Sequence, residues 1–100
     1  MYKIYIDTTD RVSNKIQLIK DKKVVSERVG KVDVTASIKE VLDENKLKLS
    51  DVASFDMNPG PGSFTGLKIG ASVVNALRFA TGKSKEDGFI IPTYTPSKFD

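Results

Sequence analysis

Between Leu67 and Ala80 the polar side chains fall at Lys68, Ser72, Asn75 and Arg78, at intervals of four, three and three, and every other residue is apolar or small. At 3.6 residues per turn that spacing draws one narrow polar stripe down a helix running from about Ser63 to Ala80. A surface helix needs an apolar arc of only about 100° or somewhat more, and this one leaves well over half of its circumference apolar. A single sheet cannot cover that much. Either another helix of the chain packs alongside and buries the surplus, or another chain does. Gly66 and Gly70, one turn apart, remove side chains where a neighbouring backbone can approach closely. The segment therefore reads as a central core helix or as a partner-binding one.

The rest of the chain supplies the sheet. Tyr2 to Asp7 alternates as a strand, with Ile4 and Ile6 on one face, Tyr5 on the other, and both faces at least partly covered. Lys15–Lys20 and Val24–Val29 form two further strands around Asp21-Lys22-Lys23. Val34, Ile38, Val41 and Leu42 carry the spacing of a buried helical stripe, with Asp33 or Thr35 as cap and an end near Asn45. Val52–Met57 is a fourth strand, and Phe89-Ile90-Ile91 a short fifth before Pro92. Thr81-Gly82 ends the long helix. The order strand-strand-strand-helix-strand-helix-strand gives an α/β fold, a mixed five-stranded sheet flanked by helices, over residues 1–91. Residues 92–100 form an irregular tail.

Composition removes much chemistry. One hundred residues bury roughly two-thirds of their unfolded surface, enough for one core. Cysteine and histidine are both absent, so thiolate metal sites, cysteine nucleophiles and the Ser-His-Asp triad are excluded. The net charge of +3 comes from scattered lysines with acids among them, not from a basic face that would track nucleic acid. The opening Met1–Asp7 meets an acid before it builds an apolar run, and no stretch approaches the ~20 apolar residues of a membrane span. The expectation is a cytoplasmic protein with no membrane partner.

Asn58-Pro59-Gly60-Pro61-Gly62-Ser63-Phe64-Thr65-Gly66 is the least ordinary stretch. Its prolines fix two φ angles, and Ser63 is placed to cap the long helix through the amide of Thr65 or Gly66. Free amides at a helix start can hold an anion, yet no Gly-Lys-Ser/Thr and no G-x-G-x-x-G is present. A structural turn and a phosphate cradle both remain open.

The run Gly60-Pro61-Gly62-Ser63-Phe64-Thr65-Gly66-Leu67-Lys68-Ile69-Gly70 resembles the TsaB (YeaZ) family signature G-P-G-S-F-T-G-L-R-I-G at ten of its eleven positions, with Lys68 in place of Arg. Ile6-Asp7-Thr8-Thr9 resembles the end of the family's first strand, I-D-T-S, and Leu49-Ser50-Asp51-Val52 also fits. The family comprises accessory proteins of the bacterial machinery that makes threonylcarbamoyladenosine in tRNA. The resemblance implies one lobe of an actin-like ATPase, of ribonuclease H-like type. It also implies a subunit without a catalytic site that docks a TsaD-like catalytic partner through its helices and meets tRNA only through that complex. Leu67, Gly70, Ala71, Val74, Leu77 and Arg78 of the long helix, with Ile38 and Leu42 of the first, would form the interface.

The chain departs from the family in two segments. Val34-Thr35-Ala36-Ser37-Ile38 lacks the family's histidine, and Pro92-Thr93-Tyr94-Thr95-Pro96 replaces a Val-Ser-Ser-Leu-like run. The resemblance covers one lobe of two, so a nucleotide cleft between lobes is not expected from these residues alone, and neither a metal nor another cofactor is expected. The alternatives are a small ATP/Mg-binding module using Asp7, Thr8 and Thr9, with Asp56 the one plausible second acid, and a homodimer paired through the long helix.

Overall fold

The computed structural model describes residues 1–10, 12–83 and 90. Strand β1 (Tyr2–Asp7) pairs antiparallel with β2 (Asn14–Lys20), which pairs antiparallel with β3 (Lys23–Gly30). Asp21 and Lys22 turn this hairpin with φ of +49° and +70°, the left-handed pair of a two-residue turn matched to sheet twist. The ammonium of Met1 pairs with the Asp21 carboxylate at 2.8 Å, across the turn.

Helix α1 (Val34–Glu44) carries the chain over to β4 (Val52–Met57), which lies parallel to β1 with Ile4 opposite Phe55 and Ile6 opposite Met57. The sheet order is β3-β2-β1-β4. Helix α2 (Phe64–Ala80) follows. The described sheet thus has four strands where five were expected. The segment 89–91, Ile90 apart, and the tail 92–100 lie outside the described residues, as does the outer boundary of the expected 1–91 unit.

Capping chemistry sets the helix ends. Asp33, not Thr35, caps α1 by accepting from the Ala36 amide at 2.8 Å, and Ser63 Oγ caps α2 by accepting from Gly66 at 3.2 Å. Each helix closes with the paired bonds of a Schellman motif. In α1 the Leu47 amide donates to Leu42 and the Lys46 amide to Asp43, with Lys46 itself at φ +57°. In α2 Gly82, at φ +77°, plays the same part.

The pleat then decides the layers. Ile4, Ile6, Ile16, Leu18, Phe55 and Met57 are buried on one sheet face, under Val34, Ile38, Val41 and Leu42 of α1 and Leu67, Ala71 and Val74 of α2. Each large side chain fully buried there contributes about 1.5–3 kcal/mol. Both helices pack on this one face of the sheet. Among the described residues the fully buried side chains of the strands lie on the helix-covered face, and Lys3, Tyr5 and Gln17 on the opposite face are half-buried.

Candidate functional site

The Gly-Pro loop is built around the turn that follows β1. Asp7 Oδ1 accepts from the Thr9 amide at 3.0 Å and from the Thr9 hydroxyl at 2.6 Å, while Asn58 Nδ2 donates to Asp7 Oδ2 at 3.3 Å. The Ser63 amide donates to the Thr9 carbonyl at 2.8 Å, and the Asn58 amide to that of Ile6 at 2.9 Å. Three glycines then leave room for Thr8 and Thr9. A Cβ on Gly62 would come within 2.6 Å of Thr9 Cβ, one on Gly66 would overlap the Thr8 carbonyl oxygen, and one on Gly70 would overlap Thr8 Oγ1. The close approach expected at Gly66 and Gly70 therefore exists, and the neighbour is the chain's own β1–β2 turn. Thr8 is 1% exposed, with its hydroxyl unbonded among the described residues. In this loop Gly60-Pro61 is a cis peptide, Gly62 and Gly66 are half-buried, and Pro61, Phe64 and Thr65 are exposed.

Partial burial pushes the Asp7 carboxyl up, but the Thr9 and Asn58 hydrogen bonds and the Lys15 charge outweigh it and hold the group below its ordinary 3.8. A carboxylate with a depressed folded-state value stabilises the fold above its unfolded value and loses that contribution as pH falls through the folded one. Asp7→Asn is expected to destabilise the chain most at neutral pH, the gap from the native protein narrowing below about pH 4. Urea midpoints at neutral and acid pH measure it, and parallel profiles would disprove the assignment.

The same bonds bear on a magnesium–nucleotide site, which uses one or two carboxylates together with phosphate oxygens. Asp7 has its two oxygens engaged by Thr9 and Asn58. Asp56 Oδ2 lies 3.8 Å from Lys3 Nζ and its Oδ1 3.6 Å from the Arg78 guanidinium. No group of three acids converges among the described residues. Asp7 and Asp56 are thus each held by the chain's own groups.

The expected interface residues divide. Leu67 and Val74 are fully buried, Ala71 and Gly70 nearly so, and all four face inward with the core. Arg78 is buried too, its Nε donating to the Phe55 carbonyl of β4 at 2.8 Å. Assigning these five to a docking surface is therefore a correction: the isolated chain already covers them. The uncovered arc of α2 lies on the opposite side, where Thr65, Ile69, Ser72, Ala76 and Ala80 are exposed and Val73 is half-buried. Ile69 is half exposed and no charged group lies in that set.

Beside that arc the two helices leave an apolar groove of about 640 Å³. Ile38 and Leu42 of α1 form its floor, Leu47 and Leu49 its end, and Val73, Ala76 and Leu77 its α2 wall. Ile38, Leu42 and Leu77 were expected at such a surface and do line it, although the first two are themselves almost fully buried. Sequence reasoning missed Ile69, Val73 and Ala76. The helical wheel carried the signal, since these residues lie opposite Leu67, Ala71 and Val74 on a helix apolar on both sides. Among the described residues no helix is long and apolar enough to cross a membrane.

Residues 25–84 match the family model described as TsaD: tRNA N6-adenosine threonylcarbamoyltransferase. Among solved structures, YeaZ from Pseudomonas aeruginosa is similar with a TM-score of 0.72 at 24% identity, over 82% of this chain and 40% of that one. A Pseudomonas aeruginosa protein described as uncharacterised, with similarity to peptidase YeaZ, has a TM-score of 0.70 at 25% identity and the same coverage. The chain thus spans two fifths of the length of these structures. None of the curated proteins matches it. With a family match across more than half of its residues and a fold shared with YeaZ, the chain belongs to the TsaD family as a TsaB-like member.

Proposed function

We propose that the chain is an accessory, non-catalytic subunit of the cytoplasmic machinery that forms threonylcarbamoyladenosine in tRNA. It seats apolar helices of a TsaD-like catalytic partner in the groove between α1 and α2, and it meets tRNA only through that complex. In this reading the described elements are one lobe of a ribonuclease H-like, actin-like ATPase fold. One observation carries the reading: the arc of α2 formed by Thr65, Ile69, Ser72, Val73, Ala76 and Ala80 carries no charge, is exposed at every position but the half-buried Val73, and continues into the apolar groove wall of Val73, Ala76 and Leu77. An exposed apolar surface with a concave apolar neighbour fits helices laid side by side.

Ala76 is the position to test, because it is exposed and small and lies in the groove wall. Ala76→Arg is expected to keep the native circular dichroism spectrum and thermal transition while weakening association with the TsaD-like partner about a hundredfold or more. An unpaired charge buried in such a seam costs several kcal/mol, and each 1.4 kcal/mol is about tenfold in affinity. Biolayer interferometry with the immobilised partner reads the effect. Native affinity in the variant would remove the groove from the interface.

A further inference from the structure

The fold gathers charge that the sequence leaves scattered. The pairings Tyr2↔Lys20, Lys20↔Lys23 and Tyr2↔Val52 put the starts of β1, β3 and β4 and the end of β2 at one end of the sheet. The β2–β3 turn carries Lys20, Lys22 and Lys23 there, and the chain running from α1 into β4 brings Lys46 and Lys48. Four strands spaced about 4.8 Å apart make this end about 14 Å across. All five lysines are exposed, and none has an ion pair among the described residues.

The nearby acids do not balance them. Lys20 and Lys23 stand directly opposite each other, a like-charge cross-strand pair that weakens a hairpin. Asp21 between them is taken by the Met1 ammonium at 2.8 Å, and Lys20 rests over the Tyr2 ring at 5.4 Å with its charge intact. Asp43 closes on Lys39 at 2.7 Å, and Glu40 and Glu44 share Arg28. The Asp51 carboxylate, exposed and accepting the Lys48 amide at 2.8 Å, is the local counter-charge. Asp51 and the second carboxylate on Arg28, set against five lysines, still leave this pole positive. A lysine that guards an exposed sheet edge accounts for Lys23. It does not account for Lys46 and Lys48, which lie on the connection to β4 at the opposite end of the sheet order.

We infer that this lysine pole holds phosphates of the tRNA backbone within the assembled complex, so that the chain adds contacts of its own to RNA binding. The inference rests on the function proposed above, which supplies the RNA, and adds where this chain touches it. Lysine binds phosphate as a point charge. Contacts of that kind release counterions, depend steeply on salt and position the RNA without reading its sequence.

The test uses the full chain with its TsaD-like partner and a tRNA transcript, titrated by fluorescence anisotropy from about 50 to about 300 mM salt. Lys48 also lines the groove end, so it is left unchanged, as is Lys20 on its tyrosine. The triple variant Lys22→Gln, Lys23→Gln, Lys46→Gln removes three charges of the pole. The double variant Lys31→Gln, Lys68→Gln removes exposed charge elsewhere, just past the other end of β3 and on α2. Both variants should unfold at the native temperature and bind the partner with native affinity. The triple variant is expected to weaken tRNA binding about tenfold or more near 100 mM salt and to flatten the slope of log affinity against log salt by about 2. The double variant should change neither. Native affinity and slope in the triple variant would overturn the inference, and so would an equal loss in the double variant, which would mark a response to net charge alone. Lysine-dependent binding to vesicles of anionic phospholipid, with tRNA binding unchanged, would give the pole to a lipid surface instead. A native chain that does not bind the partner would end the docking reading, and the same slopes measured on the chain alone would still decide the pole.

Discussion

Val74→Asp should leave no folded chain with which to measure binding. Val74 is fully buried in the core shared by α2 and the sheet. Its burial removes about 1.5–3 kcal/mol of transfer energy when the side chain is lost, and an aspartate placed there adds an unpaired charge or a carboxyl forced to keep its proton. Together these costs amount to several kcal/mol against the 5–15 kcal/mol that holds a typical domain together. The expected result is loss of the cooperative thermal transition, with weak near-ultraviolet dichroism, before any partner is added. Its neighbour Val73 is half-buried and faces the groove, so one step along the helix separates a position that tests folding from one that tests docking. A Val74→Asp chain that melts normally but fails to bind would return Val74 to the interface and reverse the orientation of α2 argued above.

That orientation marks where the sequence stops being informative. The surplus apolar arc of α2 was legible from four polar residues, and an exposed apolar surface exists as that arithmetic requires. Which of its two apolar sides would meet the sheet was not legible, because Leu67-Ala71-Val74 and Ile69-Val73-Ala76 are chemically alike. The choice is made by contacts distant in sequence: Gly70 faces Thr8, and Arg78 turns inward to the Phe55 carbonyl on β4. Arg78 misleads for a related reason, since a guanidinium counts as polar in any pattern but can be buried once a carbonyl and a carboxylate receive it. The four described strands, both helices and the Ser63 cap were readable because their signals are local, and the α1 cap was narrowed to Asp33 or Thr35. The end of α1 is harder, since Lys46 takes the left-handed position usually held by glycine and the closure rests on backbone bonds to Leu42 and Asp43. The motif turn was half legible: its glycines announced a close approach without naming Thr8 and Thr9 as what approaches.

Gly66→Ala tests that approach, and its expected sign is opposite to the one helix propensity gives. Alanine in a helix is favoured over glycine by about 1 kcal/mol, so in an open first turn the substitution would stabilise. Here the new methyl would overlap the backbone carbonyl oxygen of Thr8. That carbonyl cannot swing aside cheaply, because Thr9 on one side of it is tied to Asp7 and to the Ser63 amide, and β1 on the other is paired along its length. Overpacking of this kind costs about 1–3 kcal/mol or more after relaxation. Overlap with backbone puts the cost at the upper end of that range, so with the propensity term set against it we expect a net loss of about 2 kcal/mol and a melting temperature lower by roughly 8–16 °C for a domain of this size. Gly70→Ala supplies the contrast, since its methyl would meet the Thr8 hydroxyl and, more loosely, the Met57 side chain. Thr8→Ala should therefore restore most of the stability lost in Gly70→Ala while leaving Gly66→Ala unrescued, because truncating a side chain cannot move a carbonyl. Equal rescue of both, read as a double-mutant cycle from urea midpoints, would show that the turn yields as a whole and that the backbone contact at Gly66 is not what the motif protects.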